Sequence, residues 1–142
     1  MAAIMAKKTE KLAIVIDTAS YERVNFALGM ASAVAVIGNE VSILFGYGGV
    51  IRLKKGSTDN IGIETTKWIR QKIKTAVESG AITPISEQLL LLKRVGGKIY
   101  ACPAAMDLHN ITEQELVSEV DEVRSLVKFA IEDFHGASIL YV

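Results

Sequence analysis

The chain has 142 residues, enough for one domain that buries roughly 68–70% of its unfolded surface, and its 16 basic side chains balance 16 acidic ones. No basic field exists to draw in nucleic acid, a single cysteine excludes an internal disulfide and fits a reducing cytoplasm, and no apolar run approaches the ~20 residues of a membrane-spanning helix. Half of the residues are hydrophobic and the mean hydropathy is +0.31, so some apolar surface is expected to be covered by a second copy of the chain.

Residues 1–10 carry two lysines with no apolar stretch behind them. They are expected to be a flexible tail and not a secretory signal, with residues 11–142 forming a single α/β domain. Leu12-Ala13-Ile14-Val15-Ile16 reads as a central strand covered on both faces, with Asp17 at its carboxyl end. Ser20 is placed to cap the next helix, whose apolar positions 24, 27, 28, 31, 34 and 35 follow helical spacing until Gly38-Asn39 stops it. Val41 to Phe45 is a second strand. Gly46-Tyr47-Gly48-Gly49 follows as a sharply turning loop that fits neither a dinucleotide nor a P-loop fingerprint. Val50 to Lys55 suggests a short helix or turn, and the polar segment Gly56 to Gly62 is expected to be the mobile loop of the chain.

Thr65 to Ser79 carries Ile69, Ile73, Ala76 and Val77 at helical spacing, and Trp68 beside them is expected to pack in a core or an interface. Gly80 ends this helix. Pro84 opens another, Ile85 to Val95, whose run Leu89 to Leu92 suggests burial on more than one side. Gly96-Gly97 then hands over to an apolar strand ending at Tyr100-Ala101-Cys102. Pro103 stops that strand and suits the first position of a helix. Asn110 fits a left-handed helix end, Thr112 to Glu115 reads as a capping box, and Val117 to Val120 as a short fourth strand. A last helical face runs from Val123 to Phe134, Gly136 ends it, and Ala137 to Val142 is a final strand. This alternation predicts a three-layer α/β sandwich, a mostly parallel sheet of about five strands with helices on both faces. Ligands of such sheets sit beyond the carboxyl ends of the strands, where Asp17, the Gly46–Gly49 loop and Cys102 converge.

Cys102 thus sits at a strand tip beside a helix N-terminus, where unpaired amides and the dipole favour an anion and so the thiolate; the plain alternative is a buried structural thiol. The partner groups of most thiol enzymes are missing. A C-x-x-C pair would need Cys at 105, which is Ala105, and a C-x5-R loop would need Arg at 108, which is Leu108. A thioredoxin-type peroxide site would need Thr where Ile99 stands. His109 and His135 are poorly spaced for a Cys–His hydrolase or a metal site, and His109 reads as a surface residue at a helix end. What remains is a lone thiolate that takes up sulfur and passes it on. Asp17, Tyr47 and Met106 are expected to shape its pocket, with Lys54 adding positive charge if its loop folds over. Their plain alternatives are a turn residue, core packing for Met106 and a solvated lysine. A second function class stays open: an oligomer that binds a small anion or nucleotide at the Gly46–Gly49 crevice, with no thiol chemistry.

Along most of its length the chain resembles the DsrE/DsrF-like family of sulfur-relay proteins. The resemblance lies in Ile14-Val15-Ile16-Asp17 before an Ala-rich helix, Val41-Ser42-Ile43-Leu44-Phe45 before a Gly/aromatic loop, and a Leu-rich helix leading through Gly-Gly to Tyr100-Ala101-Cys102. The most specific piece is Cys102-x-x-x-Met106-Asp107-Leu108, where the family commonly has Cys-x-x-Ser-Met. Ala105 replaces that Ser, Asn110 stands where Gly is frequent, and the second Cys of several relatives is missing. The resemblance implies a cytoplasmic sulfur carrier or sulfurtransferase that holds a sulfane or thiosulfonate sulfur on Cys102. It also implies a homotrimer or hexamer, no cofactor or metal, and partner thiols on TusA-like carriers or on sulfur-oxidising and heterodisulfide-reductase-like complexes.

Overall fold

A computed structural model describes residues 9–142. Most of the expected tail, residues 1–10, lies outside the described residues. Five strands, β1 (Lys11–Ile16), β2 (Glu40–Phe45), β3 (Lys98–Ala101), β4 (Glu122–Val123) and β5 (Ala137–Tyr141), form one sheet in the order β4-β3-β2-β1-β5, every pair parallel. Five α-helices connect them: α1 (Tyr21–Val36), α2 (Lys67–Glu78), α3 (Ile85–Arg94), α4 (Pro103–Leu108) and α5 (Leu126–Asp133).

The strands are apolar in both phases because both faces are covered, but unequally. Ile14, Ile16, Ile43, Phe45, Ile99 and Ala101 share one core with residues of α1, α2, α3 and α4. Ala13, Leu44 and Tyr100 face the other way, against Phe129 of α5 alone. A fully buried Ile or Phe stabilises the fold by about 1.5–3 kcal/mol, so the first core carries most of the stability. The second face leaves Leu126, Val127, Ile131, Ile139 and Tyr141 exposed.

Several local expectations are corrected by contacts made far along the chain. Ser20 stands at the N-cap of α1, yet its hydroxyl is buried without a partner. The Tyr21 amide is instead satisfied by the Thr65 hydroxyl at 3.0 Å. Gly56 to Gly62, read as mobile, is pinned by Arg52, which is 1% exposed and donates to the carbonyls of Ser57, Thr58 and Asn60. The segment Tyr47–Leu53 is a 3-10 helix, longer than the turn read from sequence. Val117 to Val120 is not a strand; the fourth strand is Glu122–Val123, held where the Asp121 carboxylate accepts the Ile99 amide at 2.8 Å. Leu90 and Leu91 are partly exposed, and Trp68 lies 69% exposed on α2, outside the core of the single chain. Gly38, Gly80, Gly96 and Gly136 take the positive φ expected at helix ends, and Asn110 does so at 53°. The Thr112–Glu115 capping box forms.

Candidate functional site

β1 and β2 end side by side at Ile16 and Phe45, and β3 ends beside Phe45 at Ala101. The residues that follow are Asp17, Gly46 and Cys102, so one edge of the sheet carries all three. The Cys102 amide donates to the Phe45 carbonyl at 3.0 Å, which carries the ladder one residue past β3. Its carbonyl accepts the Met106 amide at 3.0 Å and starts α4, with Pro103 at the first helical position. The thiol is free and half-buried, at the hinge between strand and helix.

It opens into a cavity of about 280 Å³ on the sheet face that α5 covers only in part. Val15, Leu44, Ala104, Ala105 and Leu126 make the apolar walls; Asp17, Tyr47 and Tyr141 supply the polar groups. Two larger hollows, a groove of about 450 Å³ between α1 and β5 and one of about 600 Å³ at the opposite end of the sheet beside Lys11 and His135, hold no thiol. Asp17, Tyr47 and Cys102 are therefore brought together as expected, whereas Met106 is not: it is buried in the larger core. Lys54 does not reach this cavity. Its Nζ lies 3.7 Å from Glu115, beside the antiparallel bridge from Lys54 to Leu116. His109 is not a free surface residue, since its Nε2 is buried with no partner. Among the described residues no group of three or more His, Cys, Asp or Glu is placed to hold a metal ion.

The glycine loop serves its own chain. A Cβ on Gly49 would stand 2.4 Å from the Ile16 carbonyl oxygen, so only glycine lets the 3-10 helix press onto β1. Its amides are committed: Gly46 to Ile16, Gly48 to Asp17, and Gly49 to Gly46. They do not form the amide nest that a phosphate needs. Tyr47 sits at φ 34° with its ring 65% exposed at the cavity rim.

Tyr141 is the site residue that sequence reading missed. In β5 it pairs with Val15 of β1, so its side chain emerges next to Asp17, and its hydroxyl donates to the Asp17 carboxylate. That bond, with some burial and the charges of Asp17 and Tyr47, raises the Tyr141 pKa and keeps the phenol protonated. The available signal was an aromatic at the carboxyl end of an edge strand, but it needed β5 to be placed beside β1.

No curated protein matches the sequence. Among the solved structures that match almost end to end are a protein of unknown function, MTH1491, from Methanobacterium thermoautotrophicum, and the ychN protein of E. coli. The first is 15% identical with a TM-score of 0.66, covering 94% of this chain and 99% of the other. The second is 16% identical with a TM-score of 0.65, covering 94% and 100%. At those identities they establish the α/β fold with its five-stranded parallel sheet. Among the described residues no helix is long and apolar enough to cross a membrane. The family model for the DsrE/DsrF-like family matches residues 10–137, nearly the whole chain and all of the cavity except its Tyr141 wall, so this protein belongs to the DsrE/DsrF-like family, a membership that suggests a sulfur-relay type of function.

Proposed function

We propose that this protein is a cytoplasmic sulfur carrier or sulfurtransferase in which Cys102 takes up a sulfur atom as a persulfide-type adduct and hands it to a partner thiol. The observation that carries the reading is the placement of its one thiol: half-buried, at a strand-to-helix hinge, and open to a cavity with apolar walls. A persulfide is larger and less strongly hydrated than an oxyanion, and apolar walls suit it. The transfer balances without an oxidant. The Cys102 thiolate attacks the terminal sulfur of a donor R–S–S–H; the new S–S bond forms as the donor S–S bond breaks, and the electron pair leaves with R–S⁻. The reverse step, with an acceptor thiolate attacking the terminal sulfur on Cys102, delivers the cargo.

With no second cysteine, the adduct cannot be resolved within the chain, so donor and acceptor are separate molecules. Thiol-bearing proteins such as TusA-like carriers fit that role. Assembly as a homotrimer or hexamer is part of the same proposal, supported by the apolar side chains exposed on the α5 face. The test is intact-mass measurement after incubation with dimethyl trisulfide or polysulfide. A sulfur adduct is expected on the wild type and none on Cys102→Ser. An unmodified wild type, or equal adducts on both proteins, refutes the carrier role.

A further inference from the structure

The charge inside the cavity is one-sided. Asp17 is its only ionisable carboxyl group, and no Lys, Arg or His is among its lining residues. The Tyr141 hydroxyl, the donor best placed to meet an oxyanion, is already given to Asp17, and that bond also keeps its proton in place. The cation once expected here, Lys54, is turned towards Glu115. α4 has only six residues, so its dipole offsets little of the carboxylate's field. β1 and β3 flank β2, so the backbones at Asp17 and Cys102 lie about 10 Å apart, two strand spacings, and both residues line the cavity. That is just beyond the Debye length of about 8 Å at physiological salt and well inside the roughly 30 Å of 0.01 M salt, so at low ionic strength a charge at Asp17 is felt by a group arriving at the thiol.

We infer that the Asp17–Tyr141 pair makes this site selective by charge: Cys102 takes sulfur from uncharged sulfane carriers and rejects the sulfur oxyanions thiosulfate and tetrathionate. The inference rests on the sulfur-carrier reading and narrows its donors to organic polysulfanes and to perthiols in their protonated, neutral form. Asp17 is then a specificity residue, and Tyr141 a positioning residue that fixes the carboxylate in the wall.

Charge selection can be measured without sulfur chemistry. Alkylation of Cys102 by iodoacetamide, neutral, is compared with iodoacetate, an anion, each rate normalised to 2-mercaptoethanol. At low ionic strength the normalised ratio is expected to favour iodoacetamide by roughly tenfold in the wild type, the effect of a like charge at this range in a partly solvated site, and to shrink as salt is added. Asp17→Asn keeps the main-chain bonds of residue 17 to Val142 and Gly48 and should bring the ratio to about one. Tyr141→Phe keeps the charge but frees the carboxylate from the wall, and should lower the preference without abolishing it. A wild-type ratio near one, or a preference that survives Asp17→Asn, overturns the inference. A second arm follows adducts by intact mass with dimethyl trisulfide, neutral, against tetrathionate, a dianion. With the trisulfide, Cys102 gains a methylthio group and methyl perthiolate leaves. Adducts from tetrathionate at an equal normalised rate overturn charge selection and leave the carrier role. Charge-selective alkylation with no adduct from either donor overturns the carrier role and leaves charge selection.

Discussion

Arg52 gives the most demanding test of how this fold is held. Its guanidinium donates from Nε and Nη2 to the Ala19 carbonyl at 3.0 and 2.7 Å, from Nη1 to the Ser57, Thr58 and Asn60 carbonyls, and from Nη2 to Glu64 at 2.7 Å. It also lies 5.0 Å from the centre of the Tyr21 ring. Burial alone would raise the Glu64 pKa, yet the Gly62 amide and Arg52 hold it below the ordinary carboxylate value. Arg52→Met keeps the aliphatic stem and deletes the charge. It strands the buried carbonyls and leaves Glu64 without its cation, a loss of about 3–5 kcal/mol for breaking one partner out of a buried pair. Against a total of about 5–15 kcal/mol, that is a large fraction of the stability. Taking about 4 kcal/mol and a urea slope of about 2 kcal/mol/M, the midpoint should fall by roughly 2 M. Limited proteolysis should then cut between residues 56 and 62, where the wild type resists. Glu64→Gln should cost less, and the double variant less than the sum of the two. A midpoint within about 0.5 M of wild type, or strict additivity with Glu64→Gln, would refute the assignment of Arg52 as the pin of this segment.

Tyr21 should show its role through pH. It is fully buried, accepts the Ile85 amide at 3.1 Å and donates to Asp59 at 3.2 Å, and burial above all raises its pKa to about 12. A folded-state value above the unfolded one means the contribution is complete below about pH 10 and is lost as pH rises towards about 12. Chemical denaturation across that window should show the slope in wild type and a shallower one in Tyr21→Phe, which should also lose about 1–3 kcal/mol at neutral pH. Asn110, at φ 53°, should cost about 1 kcal/mol when changed to Ala. Asn110→Gly should stay near neutral in the same denaturation assay, because relief of the left-handed backbone is offset by the added freedom of the unfolded chain.

The parts of the fold that sequence reading recovered are those whose cause is local. Leu12 to Ile16 and Val41 to Phe45 are apolar in both phases because each lies inside a sheet covered on two sides. Gly38, Gly80, Gly96 and Gly136 mark helix ends because a left-handed residue is needed there. Cys102-Pro103 fixed a strand-to-helix hinge for the same kind of reason. What it missed is set by distant contacts. Thr65 caps α1 across 44 positions, and Asp59 meets the first turn of α3 at Ser86. Arg52 lies within Val50 to Lys55, which reads only as a short helix or turn, and Gly56 to Gly62 reads as a mobile loop, since nothing in either stretch names the other. Tyr141 read only as part of a final apolar strand; its place beside Asp17 depends on β5 crossing the whole sheet to join β1.

The cavity itself follows from the unequal coverage of the sheet. Connections through α1 to α4 stack on one face, and only α5, eight residues and so about 12 Å long, is left for the other. That length suffices to seat Phe129 among Ala13, Leu44 and Tyr100, but not to roof the strand ends. The position of α5 is fixed at its start. Ser125 accepts the Lys128 amide at 3.1 Å, and Arg124 joins Asp133 at 2.8 Å and Glu122 at 2.7 Å while lying over the Tyr100 ring at 4.0 Å. Tyr100 belongs to the strand that ends at Cys102, so the helix whose first residue walls the cavity is positioned by the strand that delivers the thiol. A short helix, locked in register by one arginine, leaves Cys102 half-covered, and a half-covered thiol can meet a donor while its adduct stays largely out of bulk water.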